Sequence, residues 1–327
     1  MEGVLAVDVG GTAIGVGVVT PEGDILLADE APIRGESGRA LDTLLGLLER
    51  VGTDAAARGI RLTGCGIGVP GPVDAGTGRI GADVQNLPEL AGCPLRGLAA
   101  ARTGLPTAVD NDVNALTLGE ARFGVARGLR SFVLLALGTG VGGGIYLDGD
   151  LVRGASGYGG ELGHVTVDFG GRPCFCGSRG CLKAYVAGPD IAAQAREAAP
   201  AHPGSSLARL APGPPEALGA RHVFAAAASG DPLGCEIVER VCLVLGAALG
   251  GIVNGLNPEA IVLTGGVAAS LPPHRDRILA AARAYAFEGA FRATQLIIVP
   301  QTKATSIRGG AALFLHEATR RRVLPLH

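Results

Sequence analysis

Residues 4–19 of the chain have the sequence VLAVDVGGTAIGVGVV, in which a turn containing glycine and threonine separates two apolar segments. Both segments are rich in β-branched residues, so they predict two strands joined at the turn DVGGT, residues 8–12. Residues 132–147, FVLLALGTGVGGGIYL, repeat this pattern, and a third glycine turn, TGG at 264–266, follows the apolar residues 260–263. The repetition indicates two similar units, in agreement with a length of 327 residues, which is enough for about two domains.

The sequence around these turns predicts further strands and helices. Apolar spacing predicts a helix over residues 41–58, and residues 65–69 predict a strand that ends at a Pro-Gly-Pro segment. A short strand at 107–109 ends at the sequence Asp-Asn-Asp, residues 110–112, and a helix is predicted over 114–123. Strands and helices are therefore both predicted in the first third of the chain.

Two stretches stand out by composition. The longest uncharged stretch, residues 241–258, contains six glycine or asparagine residues, which favours a buried helix followed by a turn over a membrane span. Residues 200–221 are rich in proline, glycine, serine and alanine, and this composition indicates a loop or a mobile connector.

The overall composition excludes several classes of protein. A formal net charge of −2 argues against a general nucleic-acid or polyanion binder, and the chain has no export signal, so we expect a cytoplasmic protein without a membrane partner. No segment long enough for a helix-turn-helix precedes the first strand, so no N-terminal DNA-binding domain is expected. The 54 glycines have no collagen-like period and indicate many tight turns or close approaches of the backbone to a ligand.

The glycine turns have the chemistry of phosphate-binding loops. Glycine allows backbone N–H groups to approach a phosphate closely, and threonine adds a hydroxyl donor. One such turn alone is most simply a hairpin connection, but two strand–turn–strand units and a third turn together favour nucleotide binding. The candidate nucleotide-binding residues are Gly10, Gly11, Thr12, Gly138, Thr139, Gly140, Gly265 and Gly266. Asp8, just before the first turn, is a candidate for holding Mg²⁺ through water; a P-loop sequence is absent.

A second cluster has the composition of a metal site. His164 is followed by Cys174, Cys176 and Cys181, three cysteines within eight residues of a glycine-rich loop. One histidine and three cysteines match a closed zinc site, whose four protein ligands leave no open position, so the metal is expected to be structural. Free buried thiols beside a core histidine are the alternative, which explains the close spacing less well. A zinc ion here would fix the loop that carries Glu161.

The sequence Asp110-Asn111-Asp112 lies where a strand ends and a helix begins. Aspartate and asparagine are common helix N-caps, and Asp110 or Asn111 fits that role. A carboxylate at a strand end that faces a nucleotide site could instead accept a proton from an attacking hydroxyl. Because nucleotide-binding turns are predicted nearby, Asp112 is the best candidate for a general base.

These motifs, taken in order, resemble the ROK family of sugar kinases and repressors, particularly its bacterial glucokinases, over nearly the whole chain. The matching segments are DVGGT at 8–12, GVPGPVD at 68–74, NLP at 86–88, NDVNA at 111–115, LGTGVGGG at 137–144, GELGH at 160–164 and the cysteine run at 174–181. The resemblance implies an actin-like, RNase H-like ATPase fold, with two α/β domains and a cleft between them. We expect residues 1–112, joined by a last helix at about 308–327, to form the first domain, and residues 113–307, with the zinc loop, the second.

The resemblance also implies roles for single residues. Asp112 corresponds to the family's catalytic base, which deprotonates a primary hydroxyl for attack on the γ-phosphate of ATP. Asn86, Asn111, Glu161 and His164 resemble residues that hold the sugar hydroxyls, and His164 is also a zinc ligand. Asp8 and the glycine turns would surround ATP with Mg²⁺, and a homodimer or homotetramer is expected.

The chain departs from the family's pattern at Lys183. The family's glucokinases usually carry a glutamate here, which accepts hydrogen bonds from the sugar, whereas a lysine only donates. The lysine predicts a substrate that has a hydrogen-bond acceptor at the place where glucose has a hydroxyl. A ring ketone or an anionic group would be such an acceptor. The arginine- and alanine-rich composition indicates an actinobacterial source, where kinases of this type also phosphorylate valiolone-type C7-cyclitols. A solvated surface lysine, or one that neutralises Glu161, is the alternative.

Two functions from other classes compete with a kinase of sugars or cyclitols. Some ROK proteins are sugar sensors or transcription regulators without catalysis, although Asp112 and the short N-terminus argue against that here. The other alternative is an ATP-binding interaction protein that has lost turnover because of Lys183.

Overall fold

The structure is a computed structural model that describes residues 1–84, 87–214 and 217–323, with side chains described as far as residue 320. The chain forms two compact units. The first comprises Met1–Leu129, Gly149–Gly159 and Thr302–His327, and the second comprises Arg130–Asp148 and Gly160–Gln301.

The first unit is a five-stranded sheet covered by helices. Its elements are β1 (Glu2–Val9), β2 (Ala13–Val19), β3 (Ile25–Pro32), α1 (Ala40–Ala57), β4 (Arg61–Val69), β5 (Val73–Asp74), β6 (Arg79–Ile80), α2 (Leu95–Thr103), β7 (Thr107–Asn111), α3 (Asp112–Phe123), β10 (Asp150–Leu151) and α11 (Lys303–Val323). The sheet order is β3-β2-β1-β4-β7. β1 pairs with β2 antiparallel, whereas β1, β4 and β7 are parallel to one another.

Both faces of this sheet are buried, which explains the nearly continuous apolar sequence of β1. Leu5 and Val7 belong to the core beneath α1 and α2, while Val4 and Ala6 pack against α11 on the other face. A Cβ atom at Gly66 in β4 would lie 1.9 Å from the carbonyl oxygen of a glycine in α11, so only glycine allows the helix to lie this close to the sheet.

The second unit repeats this arrangement. Its elements are β8 (Phe132–Leu137), β9 (Val141–Leu147), α4 (Lys183–Val186), α5 (Gly188–Ala198), α6 (Ser206–Leu210), α7 (Ala220–Ala228), α8 (Pro232–Leu256), β11 (Ala260–Thr264), α9 (Arg275–Tyr285), α10 (Glu288–Ala293) and β12 (Gln295–Ile298). The strands lie in the order β9-β8-β11-β12. As in the first unit, one antiparallel hairpin is followed by parallel strands, which confirms the internal repeat.

The uncharged stretch 241–258 lies mostly in α8. The helix ends at Leu256, and its C-cap, Asn257, adopts the left-handed conformation with φ 43°. The prediction of a buried helix followed by a turn is therefore confirmed. Among the described residues, no helix combines the length and the apolar character that a membrane crossing requires.

Two expectations differ from the structure. Residues 200–221 are more than a connector, because they contain α6, and Leu207 and Leu218 are buried in the core of the second unit. The expected domain boundaries, 1–112 and 113–307, also differ from the two units, since the first unit extends to Leu129 and includes residues 149–159. The first unit extends past residue 112 because α3 packs against α11 and against β4 of the first sheet.

Candidate active site

Three candidate segments of the first unit meet at one edge of its sheet. Strand register aligns Asp8 of β1 with Gly68 of β4, and Gly68 with Asp110 of β7. Because the three strands are parallel, their carboxyl ends lie at the same edge of the sheet, and adjacent strands there are about 4.8 Å apart. The edge therefore carries the DVGGT turn, the Pro-Gly-Pro segment and Asp110-Asn111-Asp112. In open α/β sheets, ligands bind beyond the carboxyl ends of the strands.

The turn between β1 and β2 presents its backbone to solvent. The Gly10 N–H donates to the Ala13 carbonyl oxygen at 2.9 Å and closes the turn, while Gly11 and Thr12 at its tip are exposed. Asp8 is half-buried, and burial raises the pKa of its carboxyl, although a hydrogen bond with Ser306 acts in the opposite direction. Open backbone N–H groups beside a carboxylate are suitable for a phosphate and its cation.

The glycine turns of the second unit also come together. The Val267 N–H donates to the Leu137 carbonyl oxygen at 2.9 Å, and the N–H of Gly188, at the start of α5, donates to the Gly138 carbonyl oxygen at 2.8 Å. Gly265 has φ 98°, and a Cβ atom there would lie 2.5 Å from the Leu137 carbonyl oxygen. The turn at 138–140 therefore lies directly beside the one at 265–266. Thr139, Gly140 and Gly266 are exposed.

The three residues between β7 and α3 have different environments. Asn111 is the N-cap of α3, and its Oδ1 accepts the N–H groups of Val113 at 2.9 Å and Asn114 at 3.2 Å. Asp110 is buried, whereas Asp112, the first residue of the helix, is only partly buried. The sequence offered Asp110 or Asn111 as the N-cap of this helix, and the structure shows that the N-cap is Asn111.

Asp110 has a buried partner that sequence analysis missed. The Nε atom of Arg153 lies 2.6 Å from its Oδ2, and the Nη2 atom lies 2.6 Å from Oε1 of Glu317 in α11. Burial would lower the pKa of Arg153, but the two carboxylates outweigh it and raise the pKa, so the guanidinium stays charged. The sequence around Arg153 does not distinguish it from the other arginines of the chain, 26 in total, because its partners are 43 and 164 residues away.

The predicted zinc ligands lie together in the second unit. One donor atom from each of His164, Cys174, Cys176 and Cys181 lies within 4.8 Å of every other. His164 Nδ1 is 3.6 Å from Cys174 Sγ, and Cys176 Sγ is 3.7 Å from Cys181 Sγ. A tetrahedral zinc ion would separate two sulfur ligands by about 3.8 Å and a sulfur from a nitrogen by about 3.6 Å. The donor set and spacing fit zinc, and Nδ1 as a ligand leaves Nε2 of His164 for another partner.

Glu161 lies beside this cluster in the sequence and is exposed. Its carbonyl oxygen accepts the N–H of His164 at 3.0 Å, so both residues belong to one tight turn. Gly160, just before it, has φ 99°, and a Cβ atom there would lie 2.5 Å from the Gly143 carbonyl oxygen, which fixes the turn against β9. The candidate sugar ligand Asn86 lies outside the described residues.

Lys183 pairs with a carboxylate other than Glu161. Its Nζ atom lies 2.8 Å from Oδ2 of Asp190 in the first turn of α5 and 4.6 Å from the centre of the Phe175 ring in the cysteine loop. Only 15% of the side chain is exposed, so Lys183 is not a solvated surface lysine. The pair joins the start of α4 to the start of α5.

Known proteins of one family are similar to this chain over most of its length. The ROK family matches residues 4–317. The chain belongs to the ROK family. A glucokinase of Thermotoga maritima is 37% identical over 263 residues, which cover 80% of this chain and 81% of that protein.

ROK structures of two kinds resemble this chain. A ROK glucokinase from Streptomyces griseus, solved in complex with glucose and AMPPNP, has a TM-score of 0.77 at 30% identity and covers 95% of this chain and 98% of its own. A ROK transcriptional regulator, a homolog of the E. coli MLC protein, has a TM-score of 0.85 at 27% identity and covers 96% of this chain and 78% of its own. The chain has the actin-like ATPase fold of ROK kinases.

Proposed function

We propose that this ROK protein is an ATP-dependent sugar kinase that transfers the γ-phosphoryl group to a primary hydroxyl, with Asp112 as the general base. The observation that carries the proposal is the difference between the two carboxylates at the end of β7. Asp110 is buried and paired with Arg153, whereas Asp112 is partly exposed on the sheet edge that also carries the DVGGT turn. The likeness to glucokinases supports the same activity.

The chemistry requires positioning more than covalent participation by the protein. Asp112 accepts the proton of the substrate hydroxyl while the hydroxyl oxygen attacks the γ-phosphorus of ATP. The bond between this phosphorus and the bridging oxygen breaks in line, and ADP leaves with that oxygen. Backbone N–H groups of the exposed turns at 11–12, 139–140 and 266 would hold the phosphates. Mg²⁺, when bound near Asp8, would offset the phosphate charge.

The sugar ligands are proposed from the family resemblance and from local geometry. Asn111, Glu161 and His164 would hold hydroxyl groups, and Asn86 is a further candidate. If Nδ1 of His164 held zinc, Nε2 would point away from the metal and could donate a hydrogen bond to a substrate hydroxyl. A zinc ion held by these four protein ligands would be structural, since no open position would remain for a substrate.

Lys183 favours a substrate other than glucose. The Asp190 carboxylate matches the charge of Lys183, so this lysine does not by itself require an anionic substrate. A neutral acceptor such as a ring ketone therefore fits better than an anion, and a valiolone-type keto-cyclitol is the finer proposal. Glucose is the alternative, because relatives of this chain are named glucokinases.

A sugar-binding regulator is the second candidate function, favoured by the TM-score of 0.85 to a ROK regulator. Such a protein would bind sugar without phosphorylating it. ATP consumption with Mg²⁺ separates the two when measured against glucose, mannose, N-acetylmannosamine, N-acetylglucosamine, fructose and valiolone- or valienone-type cyclitols.

The decisive variant is Asp112→Asn, which keeps the shape of the side chain and removes the base. We expect wild type to phosphorylate at least one member of the panel and Asp112→Asn to lose about 1,000-fold or more in kcat, while ATP binding is retained. Equal turnover in the variant would refute the base assignment. A wild type that binds a sugar but transfers no phosphate to any of them would identify a regulator.

A further inference from the structure

The turn that carries Asp112 depends on a buried arginine from a distant segment. Arg153 follows β10, and its guanidinium bridges Asp110 at the end of β7 and Glu317 in α11, with N–O distances of 2.6 Å on both sides. The three side chains are 13%, 2% and 21% exposed, respectively. All three belong to the first unit.

Asp110 connects the arginine to the turn. Its Oδ2 contacts Arg153, while its Oδ1 accepts the Asn111 N–H at 2.7 Å and the Asn114 Nδ2–H at 2.9 Å. Asn111 in turn caps α3 and donates from Nδ2 to the Gly71 carbonyl oxygen at 3.1 Å. One hydrogen-bonded network therefore sets the direction in which the chain enters α3 at Asp112.

The network needs the positive charge of Arg153. A carboxylate that is 2% exposed is costly to keep buried without a counter-ion, so without Arg153 the Asp110 side chain moves towards water. That movement changes the hydrogen bonds that Asp110 accepts from the two asparagines. The position of Asp112 then changes too, because it is the residue directly after the cap.

We propose that Arg153 is a positioning residue for the general base: by neutralising Asp110 and tying it to Glu317, it holds the β7–α3 turn in the orientation that Asp112 needs for proton transfer. The inference rests on the proposed kinase function and assigns to Arg153 no contact with substrate. Displacement of a reacting group by about 1 Å can cost 100-fold in rate, so the expected effect is on kcat.

The structure offers a matched control on the same two elements. Asp150 of β10 lies 2.9 Å from Nε2 of His316 and 3.3 Å from Nη1 of Arg320, both in α11. Arg320→Met removes one ion pair between this segment and α11 but leaves the β7–α3 turn untouched. These contacts also hold the segment on α11 when Arg153 is replaced.

The experiment measures kcat, KM for ATP and for the accepted sugar, and the melting temperature in the full chain. We expect Arg153→Met to lower kcat about 100-fold, with KM for ATP within about twofold of wild type. Arg153→Lys cannot span both carboxylates, so its kcat should lie between those of wild type and Arg153→Met. Arg153→Met/Asp110→Asn removes the unpaired carboxylate and should recover about tenfold or more of the lost kcat. Arg320→Met should keep wild-type kcat.

A purely structural role would lower the melting temperature of Arg153→Met and leave kcat per folded molecule unchanged, and that result overturns the inference while the kinase proposal stands. Failure of the double variant to recover kcat, or an equal loss in Arg320→Met, also overturns it. If wild type phosphorylates nothing in the panel, the kinase function and the inference fail together. Should Arg153→Met fail to fold, Arg153→Lys and Asp110→Asn test the same network.

Discussion

The Nζ atom of Lys183 lies 2.8 Å from the Oδ2 atom of Asp190, and this ion pair joins two short helices across the bend at Ala187. The family's usual glutamate at position 183 would face Asp190 as a second carboxylate. The lysine and the aspartate therefore form a matched pair, and a test that changes one of them alone also changes the charge balance of the site.

The first prediction concerns substrate choice. Lys183→Glu/Asp190→Asn places a hydrogen-bond acceptor at 183 without creating two facing carboxylates. If Lys183 donates to a ketone of the substrate, the double variant should raise kcat/KM for glucose relative to a keto-cyclitol by about 10- to 100-fold, because a site with mismatched buried donors rejects a substrate strongly. Initial rates of ATP consumption with both substrates measure the ratio.

Asp190→Asn alone is the control, because it keeps the lysine. It should leave the preference for the keto-cyclitol in place. If wild type uses glucose efficiently and the double variant leaves the ratio unchanged, Lys183 does not select the substrate.

The second prediction concerns the cysteine cluster. Protein purified under reducing conditions should contain about one zinc per chain, and Cys176→Ser should lose most of it, because three ligands bind the metal less tightly than four. The melting temperature should fall in this variant and in wild type treated with a chelator. Metal analysis and thermal unfolding measure both effects.

Cys235→Ser is the matched control, since Cys235 is also exposed and its thiol contacts only the Ala227 carbonyl oxygen among the contacts described, at 3.5 Å. It should retain full zinc content and the wild-type melting temperature. Far less than one zinc per chain in wild type would contradict the assignment of the site.

The local parts of the fold and site could be predicted from the sequence. The strand–turn–strand pattern of residues 4–19 and the cysteine spacing depend on residues close together in the chain, and the structure places β1, β2 and the four candidate ligands accordingly. In such cases the alternation of side chains and the geometry of a turn largely determine the structure.

Contacts between distant segments could not be predicted in this way. Arg153 meets Asp110 only because residues 149–159 return to the first unit. Even Lys183 and Asp190, which are only seven residues apart, meet because the chain bends between α4 and α5. The prediction of a loop or mobile connector at 200–221, made from composition, was incomplete, because a few buried leucines are enough to fix this stretch against the core. Charge pairing of this kind depends on the fold rather than on spacing.

The third prediction concerns the close approach of α11 to the first sheet. Gly66→Ala would place a Cβ atom 1.9 Å from the Gly310 carbonyl oxygen, so β4 and α11 must separate. We expect a loss of at least about 1–3 kcal/mol in the free energy of unfolding, as for overpacking of a core. Denaturant unfolding measures the change.

Gly52→Ala provides the contrasting substitution. Gly52 lies within α1, and a Cβ atom there would meet no atom within 4 Å outside its neighbours and its own helix backbone. Since alanine is the better helix former, we expect a gain of about 0.5–1 kcal/mol. Similar effects of the two variants would contradict the packing argument.

The fourth prediction concerns Asp231, the N-cap of α8. Its Oδ1 accepts the N–H groups of Leu233 and Gly234, both at 3.1 Å, and its Oδ2 accepts the N–H and Oγ–H of Ser206 at 2.7 and 2.8 Å. Burial alone would raise the pKa of this carboxyl, but the hydrogen bonds from Gly234, Ser205 and Ser206 outweigh it and lower the pKa to about 2. The charged carboxylate therefore stabilises the start of α8 and the start of α6.

The sign of the pH dependence follows from this lowered pKa. The stabilisation is complete above the ordinary aspartate pKa of 3.8 and is lost as pH falls towards about 2, where the folded protein also binds the proton. Asp231→Asn should lower the free energy of unfolding by about 1–2 kcal/mol at pH 7, a value that allows for partial exposure of the side chain to solvent. The gap between wild type and variant should narrow between about pH 4 and pH 2, as measured by urea unfolding at each pH. A gap that is independent of pH would show that the shape of the cap, rather than its charge, holds the two helices.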